Sequence, residues 1–365
     1  MLVIKALFWL SLGALLWTHL LYPLAASALA RVRTRRVRQQ PIKPTATVIV
    51  AAYNEEAVIE RRLENLFALD YPAEKLEVVV TSDASTDRTH ELVERFGDRV
   101  RLIVNPRGGK VAAQNRAVRE TSGEVVAFSD ANATWAPDAL RMLVRNFADP
   151  DVAYVMGRLH YADAEGTNRE GLYWRYETWL RAQESRLGSV TGGYGSIYAV
   201  RRADYAEVDP RFGHDLSLPY LMVQGGRRAV YEPAAHAFEK PTPSNETEYR
   251  RKVRMFEHCW LITLRGSMLR RLPADYLIAV ISHRLLRYGS GILHLVLLAT
   301  SLALVGAGLV YQLALAAQLL LLLAAGAGVG IARYYTLVTW ATVVALWNYL
   351  RRGVPATWEA AEGTR

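Results

Sequence analysis

The apolar run from Val125 to Phe128 leads directly into Ser129, Asp130 and, two residues later, Asn132. Apolar runs without alternation are typical of strands buried in parallel sheets, and such sheets bind ligands at their carboxyl edge. Asp130 and Asn132 would lie at that edge, where a divalent cation and a diphosphate can bind together. One carboxylate can suffice, because Mg²⁺ completes its shell with water and substrate phosphate oxygens. The alternative is an Asx turn that only ends the strand.

The rest of the sequence predicts the strands and helices that would position these side chains. Strands are predicted at residues 45–53, 76–81, 100–104 and 152–157 as well as at Val125, with amphipathic helices between them. Strands and helices that alternate over short links predict an α/β fold with a mostly parallel sheet, whose usual ligand is a nucleotide. The loop 51–56 has no glycine and no P-loop is present, which disfavours hydride transfer and ATP hydrolysis.

Six motifs, taken in order, resemble those of the inverting glycosyltransferases of family 2, which have the GT-A fold, and above all of their membrane-anchored bacterial members. The resemblance covers roughly residues 45–255. The motifs are Ala51–Glu56, Ser82–Asp87, Gly109-Lys110 followed by Asn115, Ser129–Asn132, Gly192–Tyr198 and His214-Asp215.

The resemblance implies a nucleotide-sugar site. Asp83 would contact the uracil ring of a UDP-sugar, Lys110 the donor, and Asp130 with Asn132 a Mg²⁺ or Mn²⁺ ion, although many members carry a second aspartate where Asn132 stands. Glu55 could instead only stabilise a helix start, and Lys110 could be a solvated lysine. The residues expected to bind the nucleotide sugar are Ala52, Tyr53, Glu55, Asp83, Lys110, Ser129, Asp130 and Arg254.

The resemblance also implies a general base and a binding pocket for the acceptor. Asp215 matches the general base that takes the proton of the attacking hydroxyl in an inverting transfer. The pocket for the acceptor and the donor sugar would be lined by Gly193, Tyr194, Gly195, Ser196 and His214. Alternatively, Asp215 caps a helix that runs towards Gln224, with Pro219 tolerated inside its first turn, and the glycine loop is only a turn.

Charge and hydropathy predict membrane association. No charged residue occurs from Ala6 to Ala30, which is long enough for a span, and five arginines follow between Arg31 and Arg38. The positive-inside rule then places the central domain in the cytoplasm, at the inner membrane. A cleaved signal peptide at Ala28-Leu29-Ala30 is the disfavoured alternative. The net charge of +9 is concentrated beside these segments, so nucleic acid is not an expected partner.

The C-terminal third is predicted to return to the membrane. Residues 276–287 suggest an interfacial helix, and residues 288–332 carry no charge and allow two crossings with a turn near 306–312. Whether residues 334–350 cross is left open. The expected domains are an anchor with a basic linker (1–40), a GT-A domain (41–250), basic interfacial helices (251–287), and membrane segments with a tail (288–365).

The expected function is sugar transfer from a nucleotide sugar to a lipid-linked or envelope-glycan acceptor. A processive polysaccharide synthase is the first alternative, but Arg251-Lys252-Val253-Arg254-Met255 replaces the Gln-x-x-Arg-Trp motif of elongating relatives. The second is a catalytically silent membrane scaffold, against which the retention of Asp83, Asp130 and Asp215 argues. A nucleotide-sugar pyrophosphorylase is a weaker rival, because its glycine-rich entry loop is missing.

Overall fold

The computed structural model describes residues 1–161, 171–241 and 245–357. Within them, eight strands form one sheet in the order β3-β2-β1-β4-β7-β6-β8-β5. The strands are β1 (Ala46–Ala52), β2 (Leu76–Asp83), β3 (Arg101–Asn105), β4 (Val125–Asp130), β5 (Thr134–Trp135), β6 (Val152–Tyr161), β7 (Tyr198–Arg201) and β8 (Arg228–Glu239).

The sheet is mixed but mostly parallel, which confirms the predicted α/β class. β1 pairs in parallel with β2 and β4, β2 with β3, and β6 with β8, whereas β7 runs antiparallel between β4 and β6. The five predicted strands are all present. β5, β7 and β8 are additional to these five, and β6 continues to Tyr161, beyond the predicted end at residue 157.

Helices of the central domain pack on this sheet. They are α3 (Ile59–Phe67), α4 (Thr89–Glu94), α5 (Lys110–Glu120), α6 (Ala139–Val144), α7 (Leu172–Leu187) and α8 (His214–Gln224), whereas α9 (Asn245–Arg265), which follows them in the chain, packs on the C-terminal helices. The core lies between sheet and helices, and Val48, Ile49 and Val50 of β1 are completely buried there. Burial on both faces explains why this strand shows no alternation of polar and apolar residues.

Asn54, which follows β1, does not cap the next helix. It adopts a left-handed conformation with φ of 54°, and its side-chain oxygen accepts the Thr86 N–H at 2.8 Å, while α3 begins only at Ile59. Asparagine tolerates this backbone region better than most residues. The loops after β1 and β2 are thereby joined at the carboxyl edge of the sheet.

The terminal helices follow the hydropathy pattern. α1 (Leu2–Leu16) and α2 (Tyr22–Val32) join through a π-helical turn into one helix, Leu2–Val32, which is long and apolar enough to cross a membrane. α13 (Leu309–Gly326) passes the same test within the described residues. The basic linker after α2 contacts the central domain, since the Arg35 N–H donates to the Arg186 carbonyl at 2.7 Å.

The segment before α13 is a bent helix pair. α10 (Ala274–Ala279) and α11 (Leu286–Tyr288) belong to one helix, Ala274–Tyr288, which meets α12 (Ser290–Ala303) at 65°, so that the two form at most one broken span. The predicted interfacial helix at 276–287 coincides with the first part of this pair. The break at Val305–Ala307 matches the predicted turn.

α14 (Gly330–Arg352) packs antiparallel to α9. The Trp260 indole N–H donates to the Thr342 carbonyl at 3.1 Å, and Asn348 donates to Glu257 at 2.7 Å. Past α14 the chain returns to the central domain, where the Ala356 carbonyl lies directly against Gly109. The last part of the predicted tail, residues 358–365, lies outside the described residues.

Substitution of Gly123 tests the packing at the start of β4. A Cβ atom there would lie 2.6 Å from the Thr47 hydroxyl oxygen and 2.7 Å from the Thr47 backbone nitrogen. We expect Gly123→Ala to lower the apparent melting temperature by several degrees, in line with an overpacking cost of about 1–3 kcal/mol. Gly171→Ala is the control, because a Cβ there meets nothing within 4 Å and φ is −62°. Equal melting temperatures for both variants would contradict this packing.

Candidate active site

One cleft of about 850 Å³ contains the predicted carboxylates. Asp83, Asp130 and Asp215 all line it, although 132 residues of sequence separate the first from the last. The parallel register of β1, β2 and β4 brings Asp83 and Asp130 to one edge, with Ala52, Tyr53 and Glu55 of the entry segment beside them. The cleft extends from this edge to the C-terminal helices.

Asp83 anchors the loop that precedes α5. Its carboxylate accepts the Gly108 N–H at 2.7 Å, the Gly109 N–H at 3.0 and 3.1 Å, and the Arg107 guanidinium at 2.6 Å. A carboxylate has about four acceptor positions, so these bonds engage both of its oxygens fully. In this structure Asp83 therefore orders the glycine turn and the α5 N-terminus. Its contact with uracil stays a prediction.

Arg107 is a cleft residue that the sequence reasoning missed. Its guanidinium lies 3.4 Å from the centroid of the Tyr53 ring, and both residues line the nucleotide end of the cleft. An arginine stacked on a tyrosine presents a flat surface suited to a base. The position of Arg107 just before Gly-Gly-Lys was the available signal.

Lys110 and Asp130 form an ion pair at the centre of the cleft. Burial alone would lower the pKa of Lys110, but Asp130 outweighs it, and Asp215 and Glu239 add to the rise. The lysine is therefore protonated and partly compensates the carboxylates. This explains why a cation stands at a helix N-terminus, where the helix dipole disfavours it.

Ser129 does not line the cleft, which corrects its assignment to the nucleotide sugar. The side chain is completely buried, and its hydroxyl accepts a hydrogen bond of 2.8 Å from Arg62 of α3. Successive side chains of a strand point to opposite faces, so Ser129 and Asp130 cannot both face the ligand. Arg62 and Ser129 instead form a hydrogen bond on the face of β4 that points away from the cleft.

Glu239, at the end of β8, is a second residue that the sequence did not reveal. It lines the cleft and accepts a hydrogen bond from the Ser196 hydroxyl. Burial, followed by the negative charge of Asp130, raises the pKa of Glu239 to about 7. A carboxyl group thus faces the Asp130 carboxylate, and no sequence motif marks it.

The oxygen ligands at this point suit a hard cation that shares the donor diphosphate. Asp130 and Asn132 both border the cleft, and burial, followed by the charge of Asp130, raises the pKa of the nearby Glu239. Among the described residues, no group of three or more His, Cys, Asp or Glu side chains could hold a metal ion. The protein would therefore supply few ligands, and the substrate would supply phosphate oxygens.

The glycine loop Gly192–Gly195 crosses the middle of the cleft. A Cβ atom at Gly195 would lie 3.2 Å from Asp130 Oδ2 and from Lys110 Nζ, whereas one at Gly193 would collide with the Tyr154 hydroxyl. Glycine is thus required where the loop approaches other groups most closely. The predicted pocket residues Gly193, Tyr194, Gly195 and Ser196 all line the cleft.

The backbone of Asp215 fixes this loop. The Gly193 N–H donates to the Asp215 carbonyl at 2.8 Å. In an α-helix that carbonyl would accept from residue 219, but Pro219 has no N–H, so the acceptor is left for Gly193. The predicted capping role of Asp215 is wrong: α8 begins at His214, Gly213 is its N-cap, and no side chain caps it.

The carboxyl group of Asp215 has an altered acidity. Burial and then the nearby Asp130 raise its pKa above the ordinary value of 3.8, although Lys110 opposes the shift. A raised pKa suits a general base, because a base is most effective when its pKa approaches the working pH.

His214 borders the cleft, but both of its ring nitrogens are engaged by tyrosines. Tyr198 lies 2.6 Å from Nδ1 and Tyr205 lies 2.9 Å from Nε2. The Tyr205 hydroxyl donates to Asn115 at 2.6 Å, so it accepts from Nε2–H, and Nδ1 accepts from Tyr198. Burial, and then Lys110, lowers the pKa of His214 to about 3, which keeps the ring neutral. His214 holds α8 in place, and contact with a substrate stays a prediction.

The basic segment of α9 also reaches the cleft, as predicted for Arg254. Burial, followed by Arg251, lowers the pKa of Arg254 and brings that of Lys252 to about 8. Arg251 donates to Glu248 at 2.8 Å. These side chains therefore belong to the wall of the cleft and are not only a basic surface for lipid headgroups.

Comparison with known proteins agrees with this geometry. The family model described as "Glycosyl transferase family 2" matches residues 47–208. A "Beta-monoglucosyldiacylglycerol synthase" of Synechocystis sp. is 33% identical over 42% of this chain and 33% of its own length. An "N-acetylglucosaminyltransferase" of Rhizobium meliloti is 31% identical over 56% of this chain and 53% of its own length. The chain thus spans about a third to a half of these curated relatives.

A solved structure extends the similarity to the terminal helices. A mannosyltransferase from Pyrobaculum calidifontis, in complex with GDP-Man and Mn²⁺, superposes with a TM-score of 0.75 and 26% identity over 96% of this chain and 98% of its own. The fold and the cleft define a nucleotide-sugar-binding domain of the GT-A type. Residues 47–208 match glycosyltransferase family 2, and the resemblance inferred from the motifs is confirmed.

Pro219→Ala tests how the glycine loop is held. The new N–H would compete with Gly193 for the Asp215 carbonyl and loosen the loop, while removal of a helix-interior proline favours α8. We expect the sugar-transfer turnover of Pro219→Ala to fall several-fold relative to wild type. Its apparent melting temperature should be equal to that of wild type or higher. Leu221→Ala, also in α8 but outside the cleft lining, is the control. Unchanged turnover in Pro219→Ala would show that the loop does not depend on this bond.

Proposed function

We propose that this protein is a membrane-bound inverting glycosyltransferase that transfers a sugar from a nucleotide sugar to an amphiphilic acceptor. One observation carries the proposal: Asp130 and Asp215 lie in the same cleft, which extends to His19 of the apolar helix Leu2–Val32 and to Tyr288 and Ser290 at the bend of the apolar helix pair. A soluble donor and a membrane acceptor can meet only in such a place.

The donor binds at the end of the cleft formed by β1, β2 and the α5 N-terminus. Tyr53 and Arg107 offer a stacking surface to the base, and Lys110 and Arg254 offer positive charge to the diphosphate. A UDP-sugar remains the first candidate, as the motifs suggest. A GDP-sugar is the alternative, because the Pyrobaculum mannosyltransferase was solved with GDP-Man.

The chemistry follows from the order of groups along the cleft. The acceptor hydroxyl oxygen attacks the anomeric carbon from the face opposite the diphosphate, and its proton passes to the Asp215 carboxylate. The bond from the anomeric carbon to the diphosphate oxygen breaks, and its electron pair leaves with the nucleoside diphosphate. The configuration at the anomeric carbon is thereby inverted.

A bound Mg²⁺ or Mn²⁺ would supply charge stabilisation for the leaving diphosphate. Asp130 and Asn132 are the residues that would hold it, beside the diphosphate oxygens. Lys110 contributes a second positive charge at the same point, because it already pairs with Asp130.

The acceptor is proposed to be a lipid-linked saccharide, a membrane lipid or a growing envelope glycan at the cytoplasmic face of the inner membrane. The names of the Synechocystis and Rhizobium relatives support a sugar transferred to lipid or glycan. The basic linker supports the cytoplasmic side, because it follows the first apolar helix and packs on the central domain.

The two alternatives make different predictions. A silent scaffold gives no reason for Asp83, Asp130 and Asp215 to converge in one cleft, and we therefore disfavour it. A processive synthase would give long products, so product length separates it from single transfer.

Asp215→Asn tests the base. We expect transfer to fall by about 100-fold or more, the scale of general-base catalysis, when labelled nucleotide sugars are screened against membranes that contain the protein. The wild-type pH profile should show an acid limb above the ordinary aspartate pKa of 3.8, because activity is lost as the pH falls through the raised pKa. Asp209→Asn, which removes a carboxylate that pairs with Arg211 outside the cleft lining, is the control. Transfer that survives in Asp215→Asn would remove this assignment.

The same variant makes a stability prediction of definite sign. A carboxyl group whose pKa is raised in the folded state stabilises the fold below its unfolded pKa, and this contribution is lost as the pH rises through the folded value. Near neutral pH the ionised Asp215 therefore destabilises the protein. We expect Asp215→Asn to melt at an equal or higher temperature than wild type at pH 7, and a clear fall would contradict the assigned shift.

Metal binding should depend on the nucleotide. Because the described residues offer few metal ligands, we expect weak Mn²⁺ binding to the protein alone and much tighter binding with UDP or GDP present, measured by electron paramagnetic resonance. Asp130→Asn should abolish this enhancement, and Asp138→Asn, outside the cleft lining, should not. Transfer that persists in EDTA would refute the metal requirement.

A further inference from the structure

A buried arginine near the membrane end of the cleft has an unused donor. Arg284 lies between α10 and α11, is only 9% exposed, and donates from Nε to the Thr191 hydroxyl at 2.9 Å. Its Nη2 atom is buried without a hydrogen-bond partner among the described residues, yet the side chain lines the cleft. A buried donor that is left unpaired is costly, so a ligand acceptor is expected at this atom.

The neighbouring carboxylates are already engaged by other groups. The Glu184 carboxylate lies 2.7 Å from the His283 ring and accepts a hydrogen bond of 3.0 Å from the Tyr22 hydroxyl. The Glu177 carboxylate forms an ion pair with Arg287 and lies 3.2 Å from the His283 ring. Within the described part of the chain, no carboxylate oxygen lies within ion-pair distance of Arg284. The cluster of Arg181, Arg284 and Arg287 with these two glutamates has a surplus of one positive charge.

The glycine loop shows where this charge lies relative to the chemistry. A Cβ atom at Gly195 would touch Asp130 and Lys110, Gly193 is bonded to Asp215, and a Cβ at Gly192 would lie 3.0 Å from Arg284 Nη2. Three residues of extended chain span at most about 10 Å. The distance from Arg284 to Asp130 and Lys110, where the diphosphate is proposed to bind, is therefore comparable to the length of a lipid headgroup. Asp215 lies between them.

Arg181 supports the same end of the cleft. It donates to the Gly193 carbonyl at 3.2 Å and stacks 4.1 Å from the centroid of the Tyr194 ring. Beyond it the cleft is lined by side chains of the C-terminal helices, among them Tyr288, Ile331 and Val338. A ligand here has a polar group at the arginines and an apolar part along the helices.

We propose that Arg284, with Arg181 beside it, binds a phosphate oxygen in the headgroup of the acceptor, whose hydroxyl lies at Asp215. The acceptor class is then a lipid whose headgroup carries both a phosphate diester and a free hydroxyl, rather than neutral diacylglycerol. This inference rests on the proposed transferase function. Guanidinium groups bind phosphate with two parallel charge-assisted bonds, which a neutral glycerol backbone cannot accept as strongly.

Lipid binding tests the inference without turnover. Full-length protein would be reconstituted in phosphatidylcholine vesicles with phosphatidylglycerol or dioleoylglycerol, and the lipid retained after purification measured by mass spectrometry. We expect preferential retention of phosphatidylglycerol by wild type and its loss in Arg284→Gln, with partial retention in Arg284→Lys. Arg270→Gln is the matched control, because that arginine is exposed and outside the cleft lining. Equal retention of both lipids by wild type would overturn the inference.

Kinetics provide the second readout. With a fixed nucleotide sugar, Arg284→Gln should raise the KM for phosphatidylglycerol by about 10- to 100-fold, the effect of a lost charge-assisted bond, and leave the donor KM unchanged. Inorganic phosphate should inhibit competitively against the lipid. Competition with the nucleotide sugar alone would assign Arg284 to the donor diphosphate instead, which refutes the inference. Nucleotide binding with Mn²⁺ verifies that each variant is folded.

The two proposals fail in distinguishable ways. If no nucleotide sugar is hydrolysed or transferred with any metal, the proposed transferase function fails. If transfer occurs but only diacylglycerol accepts the sugar, and Arg284→Gln leaves its KM unchanged, the transferase function stands and only the phosphate site is wrong.

Discussion

The hydrogen bond from the Gly193 N–H to the Asp215 carbonyl fixes the glycine loop of the cleft against the first turn of α8. It forms at an acceptor that a helix-interior proline leaves free, because Pro219 cannot donate to the carbonyl of Asp215, the proposed base. The loop so held lies so close to Asp130 at Gly195 and to Arg284 at Gly192 that an added Cβ atom would meet each of them. One backbone bond therefore sets the base relative to both ends of the cleft.

Charge compensation explains how so many ionisable groups remain in one cavity. Lys110 pairs with Asp130, and the Asp83 carboxylate binds the N–H groups at the start of α5, where the helix dipole favours an anion. A donor that arrives with a divalent cation would exchange one positive partner of Asp130 for another. Burial, and then the negative charge of Asp130, raises the pKa values of the neighbouring Asp215 and Glu239.

The sequence predicted the features that depend on local pattern. Apolar runs predicted the strands. Asp83 and Asp130 follow from the ends of two such runs, because the carboxyl ends of parallel strands lie at the same edge of a sheet. The features that depend on distant pairing were not predicted. Ser129 faces Arg62 from α3, His214 is held by Tyr198 and Tyr205, and Glu239 arrives on β8. None of these contacts has a periodicity or spacing from which it could be read.

The C-terminal helices link the two ends of the cleft. α14 packs along α9, which carries Arg254, and the chain that leaves α14 reaches Gly109, where the Ala356 carbonyl lies against the glycine. Gly109 has a φ of 92°, so both its conformation and its close contact require glycine. The helix α14 thus lines the cleft through Val338, and the segment after it lies against the loop that precedes α5. Since interior packing is dense, a shift of α14 on acceptor binding would be transmitted to the loop that Asp83 orders.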